Sequence, residues 1–305
     1  MPSVTLAILN YNGKHHLEHL LPTAVAEASR YGPACEVAIV DNRSPGDDMR
    51  WVNENFPSVQ VWTAPRNDYL FSYNLYARES QADILVFLNN DLKLCPNFVL
   101  PLVRHFTAGD VFSVGATSMD WDGLEYTCGP SQLTYKNGFY SWEYKYGSQE
   151  CCHTLFTSGG FMAVDRKKFL ELGGFDRLYY PAYVEDVDLC FRAWRRRWRC
   201  IFEPASKVLH REGGSWSKVS NSRMDTMLLR NSLLFQWTSL PMGRHRLKRW
   251  LSTTKICLAA LANRDLSWLN NLISAWIFFV LSGRIFIKSQ TSEADISRIN
   301  HSIQD

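Results

Sequence analysis

Four short apolar runs alternate with turns and a helical pattern over the first ninety residues. The runs are Val4–Leu9, Glu36–Val40, Val59–Trp62 and Ile84–Leu88, and their length predicts strands. Between the first two runs, apolar residues recur at helical spacing from Leu17 to Ala28, which predicts a helix. Strands that alternate with helices predict a parallel sheet with right-handed crossovers, and strands that are apolar throughout suit a sheet covered on both faces.

The pattern changes after residue 110. Gly, Tyr and Trp are frequent from Val111 to Glu150, which indicates loops and short strands. Beyond them the sequence predicts a strand at Phe161–Val164, a short helix at Asp165–Leu172 and a second helix from Glu185 to about Arg197. Two further strand segments are predicted at Cys200–Phe202 and Val208–His210. From about Ser215 the composition becomes helical.

The C-terminal stretch is basic and rich in tryptophan. Eight Lys and Arg residues but a single acid, Asp265, lie between Pro241 and Lys288, whereas the whole chain carries a net charge of only +3. Leu266–Gly283 has no charge, which predicts a helix that lies in a membrane interface or docks on the protein core, with a membrane span as the less favoured alternative. The basic excess suits anionic lipid or phosphate, and equally suits a solvated helical face.

Composition excludes several classes of protein. A chain of 305 residues can bury a large core, and 21% charged and 13% aromatic residues are typical of a folded globular protein. The small net charge does not indicate a nucleic-acid binder. The eight cysteines form no C-x-x-C pair, so a zinc site is not expected. The first residues predict a strand rather than a signal peptide, and with the scattered cysteines they favour a reducing, cytosolic environment.

Polar residues directly follow three of the predicted strands. They are Asn10 and Asn12, then Asp41 and Asn42, then Asn89, Asn90 and Asp91. Each group alone would be an ordinary turn, but in open α/β sheets ligands bind beyond the carboxyl ends of the strands. The Asp91 carboxylate suits Mg²⁺ or Mn²⁺ shared with a diphosphate, and His210, which follows a later apolar segment, can complete such a metal shell. The glycine motifs of dehydrogenases and P-loop enzymes are absent, which disfavours both classes.

Seven short motifs follow one another along the chain. They are Val4-Thr-Leu-Ala-Ile-Leu-Asn-Tyr-Asn12, Ile39-Val-Asp-Asn-Arg-Ser44, Arg66-Asn67 with Asn74, Phe87-Leu-Asn-Asn-Asp91, Ser158-Gly-Gly-Phe161, Gly173-Gly-Phe-Asp176 with Tyr183-Val-Glu-Asp-Val-Asp188 and Arg192, and His210 with Gly213-Gly-Ser215. In this order they resemble the motifs of inverting family-2 glycosyltransferases of the GT-A fold, especially the rhamnosyltransferase-like bacterial branch. The resemblance covers about residues 3–217.

The resemblance implies a fold and a domain organisation. The fold would be α/β of the GT-A type, with a mostly parallel central sheet and helices on both faces. Residues 1–217 would form the catalytic domain, with a nucleotide-binding half at 1–110 and an acceptor and catalytic half at 111–217. Residues 218–305 would form a helical region that we expect either to associate with a membrane or to pack on the protein.

The resemblance also assigns a donor site. Asp41 would accept hydrogen bonds from the base of a nucleoside-diphosphate sugar, UDP- or dTDP-linked and of the rhamnosyl type. Asp91 and His210 would hold a divalent metal, Mg²⁺ or Mn²⁺, that neutralises the leaving diphosphate. The other donor-side residues would be Asn10, Tyr11, Asn12, Asn67, Asn74, Asn89, Asn90, Gly159 and Gly160.

The catalytic roles fall on the Glu185-Asp186 segment. Asp186 would be the general base that takes the proton of an acceptor hydroxyl, so that a single displacement inverts the anomeric centre, and Glu185 is the alternative base. The alternative for these acids is a purely structural role, in which they stabilise the N-terminus of a helix. Asp188 and Arg192 would give support at i, i+4 spacing, and Trp216 would lie on the acceptor side. The acceptor would be a growing glycan or a lipid-linked saccharide, at the cytosolic face of an inner membrane.

Two departures from the family pattern leave alternatives open. Asp68-Tyr-Leu-Phe-Ser-Tyr replaces the glycines that usually follow the Asn67 equivalent, so bulky side chains are expected to narrow the donor site. The metal motif has asparagine at its first two positions and thus one carboxylate. A non-catalytic nucleotide-sugar-binding or scaffolding subunit is therefore the alternative function. A sugar-phosphate nucleotidyltransferase is disfavoured, because Asn10-Tyr-Asn-Gly13 is not a glycine-rich basic loop.

Overall fold

A computed structural model describes residues 1–136, 139–211, 221–240, 254, 258, 267–281 and 292–304. Trp216 and most of the basic stretch from Pro241 to Lys288 therefore lie outside the described residues.

The first half of the chain builds a parallel sheet. Its elements are β1 (Val4–Asn10), α1 (Lys14–Tyr31), β2 (Cys35–Asp41), α2 (Asp48–Asn55), β3 (Gln60–Thr63), α3 (Ser72–Glu79) and β4 (Ile84–Asn89). The four strands lie in the order β3-β2-β1-β4 and all run parallel, as their alternation with helices predicted. In this register Asn10 faces Asp41, and Leu9 faces Asn89. The polar residues that follow the strands therefore meet at one edge of the sheet.

The second half extends the same sheet. Its elements are β5 (Leu92–Leu94), α4 (Val99–Val103), β6 (Val111–Met119), β7 (Ser131–Lys136), β8 (Phe139–Tyr144), β9 (Cys152–His153), β10 (Phe161–Asp165), α5 (Arg166–Glu171), α6 (Glu185–Arg195) and β11 (Arg199–His210). The nine-stranded sheet has the order β3-β2-β1-β4-β10-β6-β11-β5, with β9 on β11, while β7 and β8 form a separate hairpin. Among the described strands of the main sheet, β5, β9 and β10 run antiparallel to the other six. The prediction of a mostly parallel sheet is therefore confirmed.

One expectation about the second half was wrong. The composition after Val111 indicated loops and short strands, but β6 is a nine-residue strand inside the sheet and is buried along nearly its whole length. The apolar pattern did not predict β6, because the strand contains small polar residues that are buried with hydrogen-bonding partners instead of being exposed. Thr157, for example, donates its hydroxyl hydrogen to Ser113 Oγ at 3.0 Å, and a Cβ at Gly115 would lie 2.8 Å from the Thr157 side chain.

Helices cover both faces of the sheet, as expected for strands that are apolar throughout. Leu6 and Ile8 of β1 pack with α1 and α4 on one face, while Ala7 faces the other core. That second core contains residues of α3, α5, α6 and the β7–β8 hairpin. Alternate residues of each strand thus serve different cores, which is the consequence of a side-chain period of two.

The C-terminal region is helical where it is described, in α7 (Asn221–Thr238), α8 (Ser267–Leu281) and α9 (Glu293–Gln304). Leu234 and Phe235 of α7 are fully buried in the core that contains α6, and the Phe235 ring meets Phe191 edge-on at 5.4 Å. The domain boundary after residue 217 stays a prediction, but α7 shares a core with the preceding domain. None of the helices that the structure describes has both the length and the apolar character that a membrane crossing requires.

Candidate functional site

Hydrogen bonds around Asn10 join the ends of β1, β2 and β4. The buried Asn10 side chain donates to Asp48 Oδ2 at 3.0 Å and to Ser44 Oγ at 3.2 Å, and it accepts from Asn90 Nδ2 at 2.8 Å. Asn10 and Asn90, both predicted donor ligands, therefore act as internal ties that fix this edge of the sheet. Tyr11 differs from them, because its side chain is 49% exposed at the same edge.

The Asp41 carboxylate is held by the turn that follows β2. Asp41 Oδ1 accepts the Ser44 hydroxyl hydrogen at 2.6 Å, and both carboxylate oxygens accept from the Ser44 backbone N–H at 3.1–3.2 Å. The Asn12 N–H in turn donates to Ser44 Oγ at 2.8 Å. Sequence reasoning missed Ser44, although an Asp followed three residues later by Ser before a Pro-Gly pair is typical of such a turn. Ser44 thus links the predicted base-binding Asp41 to the Asn12 loop.

Asp91 and His210 lie together, although they are far apart in the sequence. The antiparallel pairing of β5 and β11 places Leu92 opposite His210, and His210 Nε2 lies 3.5 Å from Asp91 Oδ1. The backbone N–H of Arg211 also donates to the Asp91 carbonyl at 3.0 Å. A carboxylate beside an imidazole is a pair of ligands that suits a divalent metal ion such as Mn²⁺.

A cation and an aromatic ring stand next to this pair. The Arg211 guanidinium lies 4.5 Å from the Trp121 ring centroid. Trp121 belongs to the loop after β6, in the segment expected to contact the acceptor. Because the Arg211 backbone also bonds Asp91, this positive charge belongs to a residue that adjoins the candidate metal site.

The Glu185-Asp186 pair opens α6 directly after two residues with left-handed backbone. Tyr183 and Val184 have φ of +74° and +75°, a conformation that is strained for a β-branched residue. Asp186 Oδ2 accepts from the Gly159 N–H at 3.1 Å, and its Oδ1 accepts from the Val187 N–H at 2.8 Å. The predicted base and the predicted donor-sugar loop are therefore in direct contact.

Burial sets the acid–base properties of this pair. Burial, and then the neighbouring charge of Asp186, hold the pKa of Glu185 well above its ordinary value. Glu185 Oε2 is buried and accepts no hydrogen bond from the residues that the structure describes. Burial also raises the pKa of Asp186, although the N–H groups of Gly159 and Val187 oppose the rise. Paired carboxyl groups with raised pKa values are typical of acid–base sites.

The loop at Gly173–Asp176 is fixed from two sides. The expected pair is present, because Arg192 Nε donates to Asp188 Oδ2 at 2.7 Å. The rest of the Arg192 guanidinium donates to the carbonyls of Leu172 at 2.7 Å and Gly174 at 2.8 Å. From α3, Asn74 binds the Phe175 backbone N–H and carbonyl, both at 2.8 Å. Asn74 was expected beside the ribose, but both ends of its amide are used here to hold the loop.

The remaining predicted donor residues lie at the same edge. Asn67 is half-buried and accepts from the Tyr69 N–H at 3.2 Å. The Asn89 N–H donates to the Gly160 carbonyl at 2.8 Å, and a Cβ at Gly160 would lie 2.6 Å from Asn89 Nδ2. A side chain at 160 would therefore force the Asn89 amide to move, whereas glycine lets the loop approach β4 without this change.

The segment that departs from the family pattern forms an aromatic wall. Arg177 makes a bidentate pair with Asp68, with Nη2 2.9 Å from Oδ1, and this hydrogen bonding lowers the pKa of Asp68. The guanidinium lies over the rings of Tyr180 at 5.3 Å and Phe71 at 5.6 Å. The Tyr69 ring also meets Tyr180, at 5.5 Å. Bulky side chains in place of glycines thus tie the donor-side segment to the loop that leads to Glu185.

Comparisons with known proteins agree with this geometry. The fold is similar to that of a crystal structure of GalNAc-T7 with UDP, GalNAc and Mn²⁺, with a TM-score of 0.61 and 16% identity over 81% of this chain and 49% of that chain. This likeness shows a GT-A fold. The family model described as glycosyl transferase family 2 matches residues 5–173, more than half of the chain. The chain therefore belongs to glycosyl transferase family 2.

Two curated relatives indicate the range of the family. An N-acetylgalactosaminyltransferase 6 of Drosophila melanogaster is 24% identical over 76% of this chain and 37% of its own length. An N-acetylglucosaminyl-diphospho-decaprenol L-rhamnosyltransferase of Mycobacterium tuberculosis is 40% identical, but over only 22% of each chain. The chain thus spans well under half the length of the relatives it matches.

We predict that Glu185 destabilises the folded protein at neutral pH. The pKa of the Glu185 carboxyl is raised on folding, so the protein has its full free energy of unfolding below the unfolded pKa of about 4.3. This free energy falls as the pH rises from there towards the pKa of the folded state. Glu185→Gln should therefore raise the free energy of unfolding at pH 7.5 by about 1–3 kcal/mol, and by less at pH 5. Urea unfolding of the metal-free protein at both pH values measures this difference. Glu125→Gln at an exposed position is the control. An equal pH dependence in Glu185→Gln and wild type would contradict the prediction.

Proposed function

We propose that this protein is an inverting glycosyltransferase that moves a sugar from a nucleoside-diphosphate sugar to an acceptor hydroxyl. The observation that carries the proposal is the contact between Asp186 and the Gly159 N–H. It joins a buried carboxyl pair to the loop beside β4, at the sheet edge where Asp41, Asp91 and His210 also lie. This reaction needs a general base, a binding site for the nucleotide sugar and ligands for a metal ion, and all three would lie at one edge of the sheet.

Asp186 is the general base of the proposed reaction. Its carboxylate takes the proton of the acceptor hydroxyl while the acceptor oxygen attacks the anomeric carbon and the nucleoside diphosphate leaves from the opposite face. The raised pKa suits this role, because a base works best when its pKa lies near the working pH. Glu185 is the alternative base, but its carboxyl is the more deeply buried of the two.

The donor is proposed to be a UDP- or dTDP-linked sugar. Tyr11 offers an exposed ring on which a base can stack, and Asp41, fixed by Ser44, offers carboxylate oxygens to a pyrimidine N–H. The rhamnosyl type is favoured by the local identity with the rhamnosyltransferase. The wall of Tyr69, Phe71 and Arg177 is proposed to restrict the space beside the donor.

Asp91 and His210 are the residues that would hold Mg²⁺ or Mn²⁺. Such an ion supplies charge neutralisation to the leaving diphosphate when it is bound. The chain itself contributes the placement of Asp91 in the turn between β4 and β5, and the positive charge of Arg211, whose backbone bonds Asp91.

The acceptor is proposed to be a lipid-linked saccharide or a growing glycan, reached at the cytosolic face of a membrane. Four large apolar side chains of α8 form one exposed stripe at helical spacing: Ile273, Trp276, Ile277 and Leu281, which are 50%, 55%, 48% and 79% exposed. An apolar helix face with tryptophan, in a basic part of the sequence, suits the interface of an anionic bilayer. This stripe supports peripheral membrane contact.

The alternative is a non-catalytic subunit that binds nucleotide sugar. The single carboxylate of the metal motif favours this alternative, whereas the buried Glu185-Asp186 pair favours the enzyme. Turnover of a nucleotide sugar in the presence of Mn²⁺ and a lipid-linked acceptor separates the two functions.

We predict that Asp186→Asn removes turnover but leaves nucleotide binding intact. Loss of a general base lowers kcat by about 10²–10⁴-fold, whereas the side chain keeps its volume and its contact with Gly159. Product formation under single-turnover conditions gives the rate, and calorimetry with the nucleoside diphosphate gives the Kd. Exposed Asp110→Asn should behave as wild type. Retention of more than about a tenth of wild-type kcat in Asp186→Asn would contradict the assignment.

We predict that the stripe on α8 binds anionic membranes. The double variant Trp276→Ser, Ile277→Ser removes apolar surface that would be buried in the interface, so the fraction that sediments with phosphatidylglycerol vesicles should fall at least about threefold. Leu228→Ser on α7, also an exposed apolar position, should sediment as wild type does. Equal sedimentation of wild type and the double variant would remove the membrane proposal without touching the transferase proposal.

A further inference from the structure

A buried asparagine of α7 holds the loop that leads into the catalytic pair. Asn231 is 0% exposed, and its side-chain amide donates to the carbonyls of Tyr179 at 2.9 Å, Ala182 at 2.8 Å and Tyr183 at 2.9 Å. An amide nitrogen carries two hydrogens, so three carbonyls share them. The spacing of these carbonyls fixes the whole turn between Tyr179 and Tyr183 against one side chain.

The backbone conformation at the end of this turn is intrinsically unfavourable for the residues that adopt it. Tyr183 and Val184 are both in the left-handed region, and such residues persist only where the surrounding structure determines them. The carbonyls that Asn231 binds face a helix rather than water, so loss of the amide would leave buried acceptors unpaired. Because Glu185 and Asp186 follow immediately, the position of both carboxyls depends on this turn.

The same helix also holds the residue that follows the pair. The Ser239 hydroxyl, just after the end of α7, donates to Asp188 Oδ1 at 3.0 Å. Arg230 adds a hydrogen bond of 2.6 Å to the Tyr180 carbonyl. The Glu185-Asp186 pair is therefore bracketed, with Asn231 on the turn before it and Ser239 on the helical turn after it.

We propose that Asn231 is a positioning residue of the transferase site, so that α7 contributes to the site through this one side chain. The inference rests on the proposed function, since it assigns Asn231 to the placement of its general base. Asn231 reaches the reaction only through the Tyr179–Tyr183 turn and does not itself contact substrate.

A matched residue on the same helix makes the proposal testable. Gln236 is buried too, and its amide binds the Tyr140 backbone, accepting from the N–H at 3.1 Å and donating to the carbonyl at 2.5 Å. It therefore holds the β7–β8 hairpin and not the turn before Glu185. Asn231→Leu and Gln236→Leu each remove one buried amide from α7, so a general loss of helix packing should affect both variants alike.

The kinetic experiment compares these two variants with wild type, well below their melting temperatures. Asn231→Leu is expected to lower kcat by about 10–100-fold, because small misplacements of a reacting group are costly, while the donor KM and the nucleoside diphosphate Kd stay within about threefold. Gln236→Leu is expected to keep kcat within about threefold. The inference is overturned if Asn231→Leu keeps kcat within that range, or if both variants lose kcat equally.

Hydrogen exchange gives a readout that does not need activity. In Asn231→Leu the backbone amides of residues 183–188 should exchange faster while those of the hairpin are unchanged, and in Gln236→Leu the reverse should hold. Unchanged exchange at 183–188 in Asn231→Leu would overturn the inference. A wild-type protein without turnover would instead refute the proposed function, so the two failures are distinguishable.

Discussion

The site depends on keeping two carboxyl groups buried and close together at the start of α6. Burial and mutual repulsion disfavour the ionised form of this pair, so the surrounding chain must hold it in place. It does so with the N–H groups of Gly159 and Val187, with the strained backbone of Tyr183 and Val184, and with hydrogen bonds from α7. In the proposed transferase, the predicted loss of folding stability would be the usual consequence of a site arranged for proton transfer.

The sheet supplies the rest of the site through its topology. Six strands run in one direction, so their carboxyl ends bring together residues that are distant in the sequence. Asp41 and Asn10 are neighbours in register, and the reversal at β5 returns His210 to Asp91. The carboxyl pair is attached to this edge by the Gly159 loop, and the glycine at 160 lets this loop approach β4 without displacing the Asn89 amide.

Much of this could be predicted from the sequence, because apolar runs and the polar residues after them report directly on a parallel sheet. What could not be predicted from the sequence has physical reasons. β6 was missed because its small polar residues are satisfied by buried partners such as Thr157, which no hydrophobic pattern reveals. Asn74 and Asn10 are recognisable as motif residues, but their amides bind the protein itself, and these contacts depend on the folded chain. The contribution of Asn231 depends on a contact between segments about fifty residues apart.

We propose that Asp91 and His210 make this sheet edge a metal-dependent nucleotide site beside the base. Calorimetric titration of UDP and dTDP with Mn²⁺ or with a chelator, on wild type and Asp91→Ala, tests it most directly. We expect one of the two nucleotides to bind only with Mn²⁺, and Asp91→Ala to weaken this binding at least about tenfold, or about 1.4 kcal/mol. Binding that is equal with the chelator, or unchanged in Asp91→Ala, would contradict it.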